Sequence, residues 1–305
     1  MVACDLIVAG GGPAGVSAAV YAASRGLDVI LVEARAIGGV IGKVSLVTHY
    51  AAVPDGLSGQ RFAQLMSDQL ASAGVRVVVD PAVRFDLDGD EKLVACASGE
   101  EYRAPFVVLA LGTTPRFLGV PGERTYRSMS AVADGPAFAG RTVYVIGGAD
   151  GAVKEALHLS RIAAKVRLVC VEERLACIAQ FRELVEEAGN IEVVPATRLA
   201  GIEGDGSSVR RLRFESVASG EVRTVEDEGC GVFVYAGGTP NTDLVSGQVE
   251  LCGGRIAVNE GMETSLPGVY AAGDVRDKQV FQVATAVADG CIAGVRASAA
   301  FLARS

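Results

Sequence analysis

Asp5-Leu6-Ile7-Val8-Ala9-Gly10-Gly11-Gly12-Pro13-Ala14-Gly15 is the stretch that decides the fold. Leu6 to Ala9 is an apolar run of strand length, and Pro13 opens a helix directly after a glycine turn. Gly10, Gly12 and Gly15 are spaced G-x-G-x-x-G. In that pattern Gly10 permits the tight turn, Gly12 lets backbone N–H groups approach a pyrophosphate, and Gly15 lets helix and strand pack closely. The helix N-terminus adds partial positive charge for the phosphates.

The context extends the motif. The pattern predicts a helix over Ala14 to Arg25 with Gly26 as its cap. A second strand, Leu27 to Val32, then ends in Glu33, roughly 20 residues past the glycines, where a ribose hydroxyl is normally held. A βαβ unit that binds nothing would show the periodicity but would not need all of these features together.

Composition narrows the class. The 305 residues suggest about two domains, and half of them are apolar, as in a well-packed α/β protein. A net charge of −8 argues against nucleic acid as a partner. No run of about 18 apolar residues marks a membrane span. No basic segment precedes the first apolar stretch, so a signal peptide is not expected and the cytoplasm is. The seven cysteines, Cys4, Cys96, Cys170, Cys177, Cys230, Cys252 and Cys291, include no C-x-x-C pair and read as small buried hydrophobes. With only two histidines, His49 and His158, no metal site is expected.

Further along, Leu57 to Ala73 reads as a helix with Ser58 as N-cap, and Val75 to Val79 as a strand. Arg84 to Ala97 with Glu101 to Ala104 suits a small meander, and Phe106 to Leu111 a buried strand. The irregular stretch Lys43 to Asp55 carries His49 and Tyr50. Near Ala139 the pattern restarts: strand Arg141 to Ile146, turn Gly147 to Ala152, helix Val153 to Ala164, strand Val166 to Val171, then Glu172 and Glu173. Helix to Gly189, strand Ile191 to Val194, hairpin Val209 to Val225 and strand Gly231 to Tyr235 complete the repeat. The tail has a strand ending at Gly273-Asp274 and one long Ala-rich helix, Gln282 to Leu302. Such a tail most simply completes the first domain. The expected architecture is α/β, two three-layer Rossmann-like dinucleotide-binding domains, the second inserted into the first. Its boundaries are 1–115 with 246–305, and 116–245.

At this point the chain resembles the low-molecular-weight thioredoxin reductases and their relatives, two-domain flavoproteins of FAD and NAD(P)H. The likeness runs through Gly10 to Gly15, Gly38-Gly39, Ala110-Leu111-Gly112, Phe117 to Gly122, Val145 to Gly148, Glu155-Ala156-Leu157, Pro240-Asn241-Thr242, Gly273-Asp274 and Gln282 to Ala286. It implies that Gly10, Gly12, Pro13, Ala14, Gly15, Glu33, Gly39, Ala110, Gly112, Asp274, Gln282 and Val283 hold FAD. Asp274 would bond the ribityl–phosphate region, and the backbone of Gln282 and Val283 would lie beside the flavin pyrimidine. A homodimer is implied as well.

The departures from the family pattern carry the functional reading. The family disulfide, C-x-x-C before Asp-Gly, should fall at Ser130-Ala131-Val132-Ala133-Asp134-Gly135. Serine and alanine form no disulfide, which excludes the usual dithiol relay. NADPH-using members carry His-Arg-Arg after the second strand of the repeat, where this chain has Cys170-Val171-Glu172. An acid repels a 2′-phosphate and accepts from a free 2′-hydroxyl, so NADH is favoured over NADPH. The possible nicotinamide-nucleotide residues are Gly147, Ala149, Asp150 and Glu172. Ala149 stands at the second glycine position and crowds a pyrophosphate, which leaves a second domain that binds no nucleotide as the other reading. In the loop that reaches the flavin ring, Thr48-His49-Tyr50-Ala51 replaces Glu-Asn-Trp/Tyr/Phe-Pro. His49 is the candidate acid/base; a plain hydrogen bond to the ring is the alternative. Lys43 in the same loop reads as solvated, and His158 as structural.

Three functions fit. The first is an FAD oxidoreductase taking hydride from NADH and passing electrons to oxygen, a quinone, a small disulfide or an iron–sulfur protein. The second is a flavin enzyme reduced by a small organic substrate or an electron-carrier protein of ferredoxin or flavodoxin type. The third is a non-catalytic flavin-binding redox sensor. In each, the partner is a small molecule or an electron carrier, with neither nucleic acid nor membrane involved.

Overall fold

The computed structural model describes residues 2–53 and 56–304. Pro54 and Asp55, at the end of the irregular stretch, lie outside the described residues. In chain order the first elements are β1 (Leu6–Ala9), α1 (Pro13–Ala23), β2 (Val29–Glu33), α2 (Gly59–Ser72) and β3 (Arg76–Val79). They are followed by β4 (Ala82–Asp86), β5 (Lys92–Cys96), β6 (Glu101–Ala104) and β7 (Phe106–Leu109). The repeat supplies β8 (Arg127–Ser128), β9 (Thr142–Ile146), α3 (Asp150–Leu159), β10 (Lys165–Val169), α4 (Ala179–Glu187) and β11 (Ile191–Val194). Then come β12 (Thr197–Gly204), β13 (Val209–Ser216), β14 (Val222–Glu226), β15 (Gly231–Val234), β16 (Val269–Ala271) and α5 (Val283–Leu302).

The chain divides into two compact units: Met1–Lys43 with Val47–Thr114 and Thr239–Ser305, and Val44–Leu46 with Pro115–Gly238. The second crossing comes before the boundary expected at 245. Asn241 already bonds back to the first unit, from its N–H to the Gly112 carbonyl (3.1 Å) and from Nδ2 to the Leu111 carbonyl (2.7 Å). Val245 and Val249 are buried in the core of that unit. Val44–Leu46 fall with the second unit because Ser45 bonds to Glu155 there.

In the first unit a parallel sheet runs in the order β16-β7-β1-β2-β3. Its central strands read as continuous apolar runs because helices cover the sheet. Leu6, Ile7, Val8 and Ala9 are all buried, as are Phe106 to Leu109. α1 stops at Ala23, two residues before the expected end; Gly26 follows at φ +91° and turns the chain into β2. Ser58 caps α2 by accepting from the Arg61 N–H at 3.1 Å. The meander forms as β6, β5 and β4, each antiparallel to the next, with Val2–Ala3 added parallel to β6.

α5 lies along α1. A Cβ on Gly290 would run into the Ala14 carbonyl, and one on Gly294 into that of Ala18. The two contacts advance in the same sense, so the helices are parallel. Ser17 Oγ donates to the Val287 carbonyl at 2.8 Å. α5 has the length and mean hydropathy of a membrane span, which the count of consecutive apolar residues did not flag. It carries Asp289 and Arg296, and its small-residue stripe is buried.

The second unit repeats the design with a parallel sheet β8-β15-β9-β10-β11. α3 begins at Asp150, before the expected Val153, because the extended Ala149 serves as its N-cap. The hairpin β13–β14 is the edge of a three-stranded sheet; β12, absent from the sequence reading, pairs with β13 through a bulge at Leu199/Gly201. All seven cysteines are free thiols.

Candidate dinucleotide sites

β1 ends at Ala9, and the Gly10 N–H donates to the Val32 carbonyl at 2.8 Å. Gly10 sits at φ +111°, and any Cβ there would run into the Ala110 carbonyl oxygen. A Cβ on Gly15 would run into the Gly10 carbonyl, so strand and helix meet as the motif requires. Gly12 differs from both: nothing lies within 4 Å of the position its Cβ would take. The N-terminus of α1, opened by Pro13 and Ala14, therefore faces open space over Gly12.

Glu33 reaches this turn. Its Oε2 accepts from the Gly11 N–H at 2.6 Å and its Oε1 from the Arg35 N–H at 3.0 Å. An ionised carboxylate has roughly four acceptor sites, so capacity remains for hydroxyl donors. Gly38 N–H donates to the Gly11 carbonyl at 2.8 Å, and Gly39, at φ +56°, packs over Gly12. Gly112 sits at φ +62° just past β7 and Ala110. Gly273 packs against Ala14, which brings Asp274 beside the start of α1. Gln282 caps α5 in a reciprocal box with Thr285, and Val283 begins the helix. Gly10, Gly12, Pro13, Ala14, Gly15, Glu33, Gly39, Ala110 and Gly112 thus lie around the turn between β1 and α1, with Asp274 past β16 beside it; Gln282 and Val283 stand at the start of α5, Val283 seven residues before Gly290, which meets Ala14.

His49 is exposed, at φ +58° on the loop after Val47. Left-handed backbone at a non-glycine residue is costly and persists where surroundings enforce it. Its neighbour Tyr50 packs edge-on against Phe62 at 5.8 Å.

The second turn has the same plan with one change. Gly147, at φ +139°, is fixed by the Tyr235 carbonyl, and the Glu172 carboxylate lies beside Gly148 as Glu33 lies beside Gly11. Ala149 replaces the open glycine and forms a parallel bridge with Ala176. Asp150 turns its Oδ1 to the Ile178 N–H at 2.9 Å. The loop after β10 is thereby tied to the start of α3.

A family model described as pyridine nucleotide-disulphide oxidoreductase matches residues 4–290. The chain belongs to this family. Thioredoxin reductase of Peptoclostridium acidaminophilum is 34% identical over 304 residues, covering 96% of this chain and 95% of that protein. The crystal structure of Lactococcus lactis thioredoxin reductase superposes with a TM-score of 0.93 at 29% identity, covering 99% of this chain and all of that one. The crystal structure of T. acidophilum thioredoxin reductase superposes with a TM-score of 0.92 at 29% identity, covering 99% of this chain and 100% of that one. The expected α/β fold and the thioredoxin reductase likeness both hold.

Pyridine nucleotide-disulphide oxidoreductases of this type are FAD flavoproteins with NAD(P)-binding Rossmann domains, and the first unit fits FAD. Gly12 leaves a cradle that a Cβ would fill, and Asp274 Oδ1 is a buried acceptor with no hydrogen-bond donor. In the second unit, Ser130 Oγ accepts from the Ala133 N–H at 3.2 Å and caps the short helix Ala131–Asp134. Asp134 Oδ2 accepts from the Met129 and Ser130 N–H groups at 2.8 and 2.9 Å. That turn is satisfied within itself.

Besides Glu123, which pairs with Arg127, two buried acids had no role in the sequence reading. Glu155 is 3% exposed; its Oε1 accepts from Ser45 N–H (3.0 Å) and Oγ (3.1 Å), while Oε2 is buried with no partner. Burial, with Glu155 next, pushes the Tyr235 hydroxyl well above the usual tyrosine range, and burial pulls the Lys154 ammonium down. Asp289 is the other, an acid inside the alanine–glycine stripe of α5. A lone charge on a helix face of small residues was its only signal in the sequence.

Proposed function

We propose that the chain is an FAD-dependent oxidoreductase without a redox-active disulfide, passing electrons directly between the flavin and an external partner, with NADH the favoured donor. The observation that carries this is the pair Ser130 and Ala133, bonded into a capped turn at the place of the dithiol. Bound FAD supplies two-electron acceptance and onward transfer.

In this reading the residues divide the work. Gly10, Gly12, Pro13, Ala14 and Gly15 offer backbone and helix N-terminus to the pyrophosphate, and Glu33 accepts from ribose. Gly39, Ala110 and Gly112 shape the floor. Asp274 accepts from the ribityl–phosphate region, and the start of α5 at Gln282 and Val283 places partial positive charge near the ring. His49 moves a proton at its imidazole or holds the ring by a hydrogen bond. Gly147, Ala149 and Asp150 receive the nicotinamide nucleotide, and Glu172 accepts from its ribose. The electron acceptor is a small molecule or a carrier protein. We infer a homodimer on the family likeness, and sedimentation velocity tests it.

A second reading is favoured by the Ala149–Ala176 bridge, which narrows the approach to the second turn. There the second unit holds no nicotinamide and a small organic donor or an electron-carrier protein reduces the flavin. Anaerobic mixing with NADH and with NADPH, followed at the flavin band near ~450 nm, separates the two. Fast bleaching by NADH, and at least about tenfold slower bleaching by NADPH, is expected. No bleaching by either nucleotide would select the second reading.

A further inference from the structure

A buried charge cluster stands behind Asp274, within the first unit. Asp289 on α5 accepts from three donors. Arg276 reaches its Oδ1 at 2.7 Å; Lys278 Nζ and the Gly273 N–H each reach its Oδ2 at 3.1 Å. The side chains of both Lys278 and Asp289 are only 5% exposed. Lys278 Nζ also lies 3.3 Å from Asp274 Oδ1 and 3.3 Å from Thr285 Oγ1. The contact to Asp274 is close but poorly directed, so Oδ1 takes no hydrogen bond. Arg255 holds the Asp274 carbonyl, and its guanidinium lies 4.3 Å over the Phe281 ring.

A buried lysine between two carboxylates is costly to keep unless it serves both. Asp289 alone is already matched by Arg276. The second cation therefore has a reason in Asp274, whose carboxylate has Lys278 as its ion-pair partner among the described residues, while Arg255 reaches only its carbonyl. The Gly273 N–H bond fixes the turn that carries Asp274 from the same anchor.

We propose that Lys278, held in place by Asp289, is a positioning residue that aims the Asp274 carboxylate at the FAD ribityl–phosphate region and offsets its charge there. This rests on the FAD reading of the first unit. Lys278 touches no cofactor atom in this scheme; it acts through Asp274.

The test is FAD retention. Purified yellow protein is diluted and the fluorescence of released FAD gives its dissociation constant. Lys278→Met should weaken retention about tenfold or more, the range for losing a bond to a charged group. Lys278→Arg should restore most of it. In the Asp274→Asn background the same Lys278→Met change should cost less than about twofold, because the route through Asp274 is already cut. Should Lys278→Met fold poorly, Asp289→Asn, which keeps the side-chain shape, is measured in the same two backgrounds with the same expectation. Equal losses with and without Asp274, or no loss at all, overturn the proposal. A wild-type protein that holds no FAD overturns the cofactor reading itself, a different result from a yellow protein indifferent to Lys278.

Discussion

Gly10 and Gly12 stand two residues apart and should fail differently when a methyl group is added. Gly10→Ala drives a Cβ into the Ala110 carbonyl at a φ of +111°, so misfolding is expected. Gly12→Ala meets no protein atom within 4 Å. It should fold with an unchanged melting temperature yet bind FAD at least about tenfold more weakly, measured by flavin fluorescence. Equal FAD affinity in Gly12→Ala would place the pyrophosphate elsewhere. The tight turn at Gly10 was legible in the sequence because the spacing fixes it. The engagement of Glu33 by two backbone N–H groups was not, since it depends on where Arg35 turns. The left-handed backbone of His49 was equally invisible, as no glycine marks the position.

At the scale of elements, α1 and α5 pack along each other. Gly290 and Gly294 let the helices approach until carbonyl oxygens fill the places of their missing side chains. Gly290→Ala should therefore destabilise the protein by roughly 1–3 kcal/mol through overpacking, read from denaturant midpoints, and loosen FAD along with it. An unchanged midpoint would mean that α5 shifts freely on α1. The long Ala-rich helix was readable as a helix. Its partner was not, because a stripe of small residues says that something packs closely without saying what. β12 escaped for a related reason: Thr197–Gly204 has Gly201 in its middle and charges at both ends, so its alternation is broken. Ser130 and Ala133 were readable as residues that form no disulfide, but the internal capping of the Ser130–Asp134 turn was not, since it depends on how Asp134 folds back onto Met129 and Ser130.

At the scale of the whole molecule, buried thiols set an alkaline limit. Burial pushes Cys230 and Cys4 up to about 12 and Cys96 up to about 11, from an ordinary 9.0. A thiol that stays protonated when folded, and ionises when unfolded, contributes stability that is complete below pH 9.0 and is lost as pH rises towards its folded value. For Cys230 that slope is up to about 1 kcal/mol per pH unit. Urea midpoints should hold steady up to about pH 8.5 and fall between about 9 and 11, and Cys230→Ala should flatten the fall. A midpoint that stays level through that window would refute the burial argument. The repeated unit that organises the molecule was plain in the sequence because strand, glycine turn, helix, strand and acid recur in order. The second crossing was placed late because Asn241 and Val245 return to the first unit through bonds and packing that no local pattern announces.

The central claim is that electrons pass through the flavin with no dithiol beside it. An anaerobic dithionite titration of the yellow protein tests it most directly. Flavin and disulfide each take up two electrons, so the two designs differ in the reductant consumed. This account predicts complete bleaching at one two-electron equivalent per flavin, with no new reactive thiols afterwards. Uptake of a second equivalent accompanied by new thiols would contradict it.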